Sequence, residues 1–105
     1  MVDHELNELR REFLDEAREK VSEMETALDG GRNPQSLDRL AYLAHQLKGS
    51  GGSYGYQRIS DDAAELEKAV ESLTGENSGT AEDPRLAKFV VSLRDEIDRA
   101  ARELA

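Results

Sequence analysis

One histidine, His45, lies in a segment whose composition an ordinary amphipathic helix does not explain. Residues 44–55 read Ala-His-Gln-Leu-Lys-Gly-Ser-Gly-Gly-Ser-Tyr-Gly, so a lysine follows the histidine by three positions. Gly49, Gly51 and Gly52 come directly after that lysine. Each glycine inside a helix costs about 1 kcal/mol relative to alanine. We therefore expect these small residues to leave space for a second molecule to reach the imidazole.

An accessible imidazole in this setting can act as a nucleophile. The unperturbed pKa of histidine is about 6.5, so near neutral pH such a ring is mostly uncharged. Covalent catalysis at histidine is a known route, and a phosphoramidate formed on His45 would need a nearby cation, which Lys48 provides one helical turn away. A carboxylate on the other ring nitrogen would fix the tautomer. Glu67 is the best candidate, unless it is simply one more solvated acid among 23.

The position of His45 on its helix predicts that the ring is exposed to solvent. The apolar stripe of that helix centres on Leu40, Leu47 and Gly51. At about 100° per residue, His45 lies roughly 120° from this centre. Small residues on either side of the ring are expected to leave it unobstructed; these are Ala41, Gly49 and Gly52.

The chain carries a net charge of −9 that is unevenly distributed. Residues 1–29 and residues 61–105 each have a net charge of −6, whereas residues 30–60 hold four bases and one acid. The acidic total disfavours nucleic acid and anionic lipid as partners. The positive segment contains His45, which is consistent with a site that binds an anion. The alternative is that these few charges are distributed by chance.

Length and composition limit the remaining possibilities. The 105 residues predict one domain over 1–105 with a modest core. The absence of cysteine excludes disulfides and thiolate metal sites. The sequence shows neither an apolar run of membrane-spanning length nor a signal peptide. We expect a soluble, cytoplasmic, free-standing monomer that binds neither metal nor cofactor.

Apolar residues at a period of about 3.6 predict four helices. A glycine pair at 30–31 ends the first, Asx-Pro pairs at 33–34 and 83–84 begin the second and fourth, and a break at 53–55 precedes the third. Residues 75–82 read as a polar loop. This pattern predicts an all-α fold, an antiparallel up-down four-helix bundle. Its core should contain Leu6, Leu9, Phe13, Ala17, Val21, Met24, Leu28, Leu37, Leu40, Ala44, Leu47, Gly51, Ile59, Ala63, Leu66, Val70, Leu73, Leu86, Phe89, Val90, Leu93, Ile97, Ala100 and Leu104.

The segment around the histidine resembles the signature of the histidine-containing phosphotransfer (HPt) domain family. The flanking stretches 13–28 and 63–67 also resemble the family, so the likeness covers essentially the whole chain. The glutamate at position 67 makes the phosphotransfer domain of chemotaxis histidine kinases a close relative. The residues that fit the signature are His45, Leu47, Lys48, Gly49 and Gly55.

This resemblance implies a phosphocarrier in a two-component phosphorelay. His45 would accept a phosphoryl group at Nε2 and exchange it with the aspartate of a response-regulator receiver domain. Lys48 would contact the phosphoryl oxygens, Gly49 would leave space for them, and Glu67 would hold Nδ1. A sensor or hybrid histidine kinase would be the other partner. The resemblance implies no ATPase activity and no metal in the chain itself.

Other residues near the histidine are candidates for access and docking. Gly52 and Gly55 are expected to serve phosphoryl access and helix packing. Ala41 and Tyr42 are expected to contact a partner, Tyr42 because aromatic residues are favoured at interfaces. For Tyr42 and Tyr54 alike, the alternative to docking is partial burial against neighbouring helices.

Four other interpretations compete with the phosphocarrier. An enzyme lacks support, because no Glu-x-x-His pair and no nucleophile elbow are present. The phosphoacceptor helix of a dimeric histidine kinase would carry an acid beside the histidine and a proline soon after it, and the sequence has neither. The phosphotransfer domain of a chemotaxis-type kinase and a helical interaction module that is not phosphorylated remain as alternatives.

Overall fold

The computed structural model describes residues 4–29, 34–75 and 84–104. All of the secondary structure in these ranges is helical, which confirms the predicted all-α class. No helix in the described part of the chain is long and apolar enough to cross a membrane. The helices are α1 (His4–Asp29), α2 (Pro34–Ser53), α3 (Gln57–Gly75) and α4 (Pro84–Leu104).

The four helices form an antiparallel up-down bundle, as predicted. Each helix packs against the next one along the chain, and α1 also packs against α4, which closes the bundle. The most extensive of these interfaces joins α2 and α3. Both α2 and α4 begin at a proline, the residue that the first turn of a helix accepts most readily. The predicted caps at 30–31, 33 and 83 and residues 76–82 of the predicted loop lie outside the described residues, whereas Gly75, predicted as the first loop residue, is the last residue of α3.

The turn between α2 and α3 is tight because glycine allows it. The Tyr56 N–H donates to the Gly51 carbonyl at 2.8 Å, and the Gly55 N–H donates to the Gly52 carbonyl at 3.1 Å. This pair of hydrogen bonds is the Schellman motif, which requires a left-handed residue just after the helix. Gly55 has a φ of 85° and fills that position at no steric cost.

Apolar side chains from all four helices build one core. Two members, Leu14 and Leu43, lie beside the predicted stripes because each helix faces two neighbours and needs a broad apolar face. The prediction of Leu9 as a core residue is wrong, since it is 47% exposed. The Arg11 guanidinium donates to the Leu104 carbonyl at 3.2 Å, so Leu9, two positions before Arg11, lies near the last described residue of α4. The largest fully buried side chains are Leu14, Val21, Met24, Leu40, Leu43, Leu47, Ile59, Leu66, Val70, Leu86, Leu93 and Ile97.

A two-pronged ion pair joins α1 and α4 on the outside of the bundle. The Arg94 guanidinium donates to both carboxylate oxygens of Glu25, at 2.6 and 2.9 Å. The hydrogen bond with Glu25 raises the pKa of Arg94 further above its ordinary value. Exposed pairs contribute little to stability, typically about 0–1 kcal/mol, but two parallel hydrogen bonds fix the relative position of the two helices.

Candidate functional site

The imidazole of His45 stands on the outer face of α2. Its side chain is 66% exposed, whereas Ala44 and Leu47 on the same helix are buried in the core. The ring is therefore accessible to a second molecule. Within the described ranges, no group of three or more His, Asp or Glu side chains is placed to hold a metal ion.

The side chain of Glu67 on α3 connects the histidine with the lysine. Its Oε2 lies 2.9 Å from His45 Nδ1, and its Oε1 accepts a hydrogen bond from the Lys48 ammonium at 2.6 Å. Glu67 is only 15% exposed, yet its pKa is lowered, chiefly by the hydrogen bond from Lys48 and further by that from His45, against the opposing effect of burial. The carboxylate is therefore ionised near neutral pH.

An ionised Glu67 determines which nitrogen of the imidazole carries the proton. A carboxylate can only accept hydrogen bonds, so Nδ1 must be the donor at 2.9 Å. In the neutral ring, Nε2 then keeps its lone pair. Because Nδ1 faces α3, Nε2 lies on the edge of the ring that faces away from α3. The arrangement presents a nucleophilic nitrogen to the outside of the bundle.

Close packing of α2 on α3 sets this geometry. A Cβ on Gly51 would lie 3.1 Å from the Ser60 backbone nitrogen, so a larger residue would push the two helices apart by a few tenths of an ångström. The buried Ser60 hydroxyl donates to the Lys48 carbonyl at 2.8 Å. Ser60 lies two turns before Glu67 on α3, so this contact aligns the carboxylate with His45. The sequence offered no signal for Ser60, because a serine beside an apolar stripe is common.

Lys48 is oriented differently from the expectation that it contacts a phosphoryl group. Its ammonium is hydrogen-bonded to Glu67, although the side chain remains 40% exposed. An ammonium has three N–H donors, so this contact leaves two of them unused by Glu67. The Lys48 ammonium and the His45 ring thus contact the same carboxylate, and a direct phosphoryl contact of Lys48 stays a prediction.

The glycines near the histidine occupy three different environments. A Cβ on Gly49 would meet nothing within 4 Å, so this residue borders open space next to His45. A Cβ on Gly52 would lie 3.6 Å from the Ser60 hydroxyl, so Gly52 faces α3. Gly55 ends α2 in the left-handed turn. The structure therefore places only Gly49 where it borders the space in front of the ring.

The candidate docking residues differ in exposure. Tyr42 is 52% exposed, its hydroxyl accepts a hydrogen bond from the Gln46 amide at 2.8 Å, and the Arg39 guanidinium lies 5.4 Å from its ring centroid. Ala41 is half-buried against the core. Tyr54 stacks on Phe13 with 5.0 Å between the ring centroids, which corresponds to the partly buried alternative.

A shallow groove between α1 and α2 opens on the other side of the imidazole. Sequence reasoning did not include its lysine, Lys20, because that residue precedes the histidine by 25 positions on another helix. Neither Glu67 nor Lys48 lines this groove. The lining residues are Lys20, His45, Gln46, Gly49, Ser50, Ser53 and Tyr54.

Comparisons with known proteins agree with this arrangement. The family described as Hpt domain matches residues 8–103. The chemotaxis protein CheA of Rhizobium meliloti (strain 1021) is 27% identical over 71 residues, which cover 64% of this chain and 9% of that protein. The chain thus spans a small part of the length of this relative. No solved structure shows significant similarity. Because the match to this family covers nearly the whole length of the chain, the chain belongs to the Hpt domain family.

Proposed function

We propose that the chain is a phosphocarrier that accepts a phosphoryl group on Nε2 of His45 and exchanges it with the aspartate of a response-regulator receiver domain. The observation that carries this proposal is the exposed ring whose Nδ1 lies 2.9 Å from the Glu67 carboxylate. In the neutral ring this contact holds the proton on Nδ1, so the lone pair stays on Nε2, on the exposed side of the ring, as a nucleophile requires. Membership of the Hpt domain family supports the same chemistry.

The transfer needs only groups that the site or the partner provides. The Nε2 lone pair attacks phosphorus of the partner's aspartyl phosphate, a bond forms between Nε2 and phosphorus, and the bond from phosphorus to the aspartate oxygen breaks. The aspartate leaves as a carboxylate. Nδ1 keeps its proton, so positive charge develops on the ring next to the Glu67 carboxylate. The reverse sequence of steps returns the phosphoryl group to a receiver.

Glu67 and Lys48 tune this reaction together. A charge-assisted hydrogen bond contributes about 1.5–3 kcal/mol, which corresponds to roughly tenfold to a hundredfold in rate if it forms fully in the transition state. Lys48 holds the other carboxylate oxygen and so keeps Glu67 ionised and aimed at Nδ1. The family resemblance also implies a direct contact of the Lys48 ammonium with the phosphoryl oxygens, whereas its hydrogen bond with Glu67 directs this ammonium towards α3.

The setting of this exchange follows from the proposed partners. Receiver domains and their kinases operate in the cytoplasm, so we place the chain there. The exposed large apolar side chains among the described residues are scattered rather than joined in one patch, which favours a monomer. We propose Tyr42 and Ala41 as partner contacts, since Tyr42 offers an exposed and oriented ring beside His45.

Phosphotransfer from purified partners tests this proposal. Sensor and hybrid kinases of the source organism are labelled with radioactive ATP and mixed with the chain, with and without each receiver domain. We expect acid-labile label on the chain and none on H45Q, while H4Q, which removes the other histidine, stays active. Label that persists on H45Q, or a wild-type chain that no kinase or receiver labels, would refute the phosphocarrier.

A phosphotransfer module of a chemotaxis-type kinase is the second candidate, favoured by the similarity to CheA. The same assay separates the two. A phosphocarrier receives label through a receiver domain, whereas a kinase module receives it directly from the ATP-binding domain of a chemotaxis kinase without any receiver. The order in which label appears therefore identifies the donor.

A further inference from the structure

We propose that Lys20 on α1 binds the phosphoryl group carried by His45, and that this group occupies the groove between α1 and α2. This inference rests on the proposed phosphoacceptor role of His45 and names the residues that hold the transferred group. It assigns a catalytic contact to a helix that the family signature does not include.

The cation next to His45 on its own helix is already engaged. Lys48 donates to Glu67 at 2.6 Å, and that carboxylate is ionised and only 15% exposed. A phosphoryl group that drew the ammonium away would leave a largely buried carboxylate with one hydrogen bond fewer, which is costly. A second cation that is not already paired can bind the phosphoryl group without this penalty.

The orientation of the ring directs the phosphoryl group away from Lys48 and Glu67. Nδ1 faces Glu67 on α3, so a group on Nε2 extends from the opposite edge of the ring. The groove that His45 lines on that side runs between α1 and α2 and contains neither Glu67 nor Lys48. Gly49 borders it with open space where a side chain would otherwise stand.

Lys20 is the cation that faces this groove. It lies on α1, is half-buried, and makes no hydrogen bond or ion pair with any residue that the structure describes. Lys20 also lines the adjoining groove near Tyr42, where the other charged residues are Glu16, Glu19, Glu23 and Arg39, and Glu23 binds Arg39 at 2.6 Å. These glutamates do not line the groove that contains His45, so a dianionic group bound there meets the ammonium of Lys20 and avoids the acidic neighbour.

Hydroxyl groups complete the donor set. Ser50 and Ser53 line the same groove as His45 and Lys20, and each can donate one O–H to a phosphoryl oxygen. A phosphoryl group requires positive charge, hydrogen-bond donors and space. The groove offers the Lys20 ammonium, two serine hydroxyls and the open space beside Gly49.

Phosphoramidate tests this contact without a protein partner. With this small donor, the bond from Nε2 to phosphorus forms, the P–N bond of the reagent breaks, and ammonia leaves while Nδ1 keeps its proton. The rate of phosphohistidine formation is measured by intact mass for the wild type, K20Q, K20R and K68Q. Lys68 is the matched control, because it is exposed on α3 with only a distant partner, Glu65 at 3.9 Å.

We expect K20Q to be phosphorylated about threefold to tenfold more slowly, an effect that shrinks as salt is added. K20R should retain most of the rate, and K68Q should match the wild type. In the phosphorylated proteins, the midpoint of the ³¹P signal in a pH titration should rise in K20Q, because a nearby cation favours the dianion.

Each remaining outcome counts against a specific claim. Equal rates and equal ³¹P midpoints for K20Q and the wild type would overturn the role of Lys20 and leave the phosphoacceptor intact. An equal slowing in K20Q and K68Q would reduce the effect to overall charge and would also overturn it. A wild-type chain that is never modified at His45 would refute the proposed function itself.

Discussion

Replacing Glu67 by glutamine should change both the stability of the bundle and the tautomer of His45. The carboxylate accepts hydrogen bonds through both of its oxygens, from His45 Nδ1 and from the Lys48 ammonium. An amide has one accepting oxygen and one donating NH₂ group. Because the ammonium can only donate, the amide oxygen should face Lys48 and the NH₂ group should face Nδ1. That orientation forces the proton onto Nε2 and removes the nucleophile.

The expected loss of stability follows from the burial of the two partners. A hydrogen bond to a charged group contributes about 1.5–3 kcal/mol when it is buried. Glu67 is 15% exposed but Lys48 is 40% exposed, so solvent screens part of this interaction. We therefore expect E67Q to lower the free energy of unfolding by about 1–2 kcal/mol near neutral pH.

The effect of E67Q should depend on pH with a defined sign. The pKa of Glu67 is lowered below 4.5 in the folded chain, so ionisation of this group stabilises the fold. That stabilisation is fully present above the ordinary pKa of 4.5 and is lost as the pH falls through the lower folded value. The difference between E67Q and the wild type should therefore shrink in acid.

Urea denaturation at several pH values and ¹⁵N NMR of the imidazole measure these two effects. E65Q is the matched control, since Glu65 is 56% exposed on the same helix and its nearest cation is 3.9 Å away. We expect E65Q to leave both the stability and the tautomer nearly unchanged. If E67Q were as stable as E65Q near neutral pH, or if its proton stayed on Nδ1, the assigned role of the carboxylate would be wrong.

Two further predictions concern the packing that supports the site, and urea denaturation measures both. G51A should lower the free energy of unfolding by about 1–3 kcal/mol, because its Cβ would meet the backbone of α3 at 3.1 Å. The matched variant G49A should raise it by up to about 1 kcal/mol, since its Cβ meets nothing and alanine favours the helix; equal effects of the two variants would contradict the described α2–α3 contact. R94A should cost about 1 kcal/mol, because it removes the two-pronged contact between α1 and α4. Among the described residues, the ion pair that R99A removes is a 3.7 Å contact within α4, so this variant should cost less; a larger loss for R99A than for R94A would count against the bridge.

The fold could be predicted from sequence because its determinants are local and periodic. Apolar residues recur at the helical period, and the prolines at 34 and 84 mark where α2 and α4 begin. The period could not show how wide each apolar face would be, so Leu14 and Leu43 were missed. Nor could it show that Leu9, near the last described residue of α4, would be exposed.

The site could be predicted in part, because some of its residues share one helix. The helical angle of His45 already indicated an exposed ring, and Glu67 was correctly chosen as the carboxylate for its other nitrogen. The exact partners of an ammonium depend on packing between helices, so the 2.6 Å contact of Lys48 with Glu67 was not foreseen. Ser60 and Lys20 are brought to the site by tertiary packing, and their residue types do not indicate this position in the sequence.

NMR can locate the phosphoryl group on the His45 ring. The chain is labelled with ¹⁵N at histidine, phosphorylated by its partner or by phosphoramidate, and examined for ³¹P–¹⁵N coupling. We expect one phosphorus atom bonded to Nε2 of His45, with the proton of that ring on Nδ1 facing Glu67. Phosphorus on Nδ1 of His45, or on any other residue, would contradict this expectation.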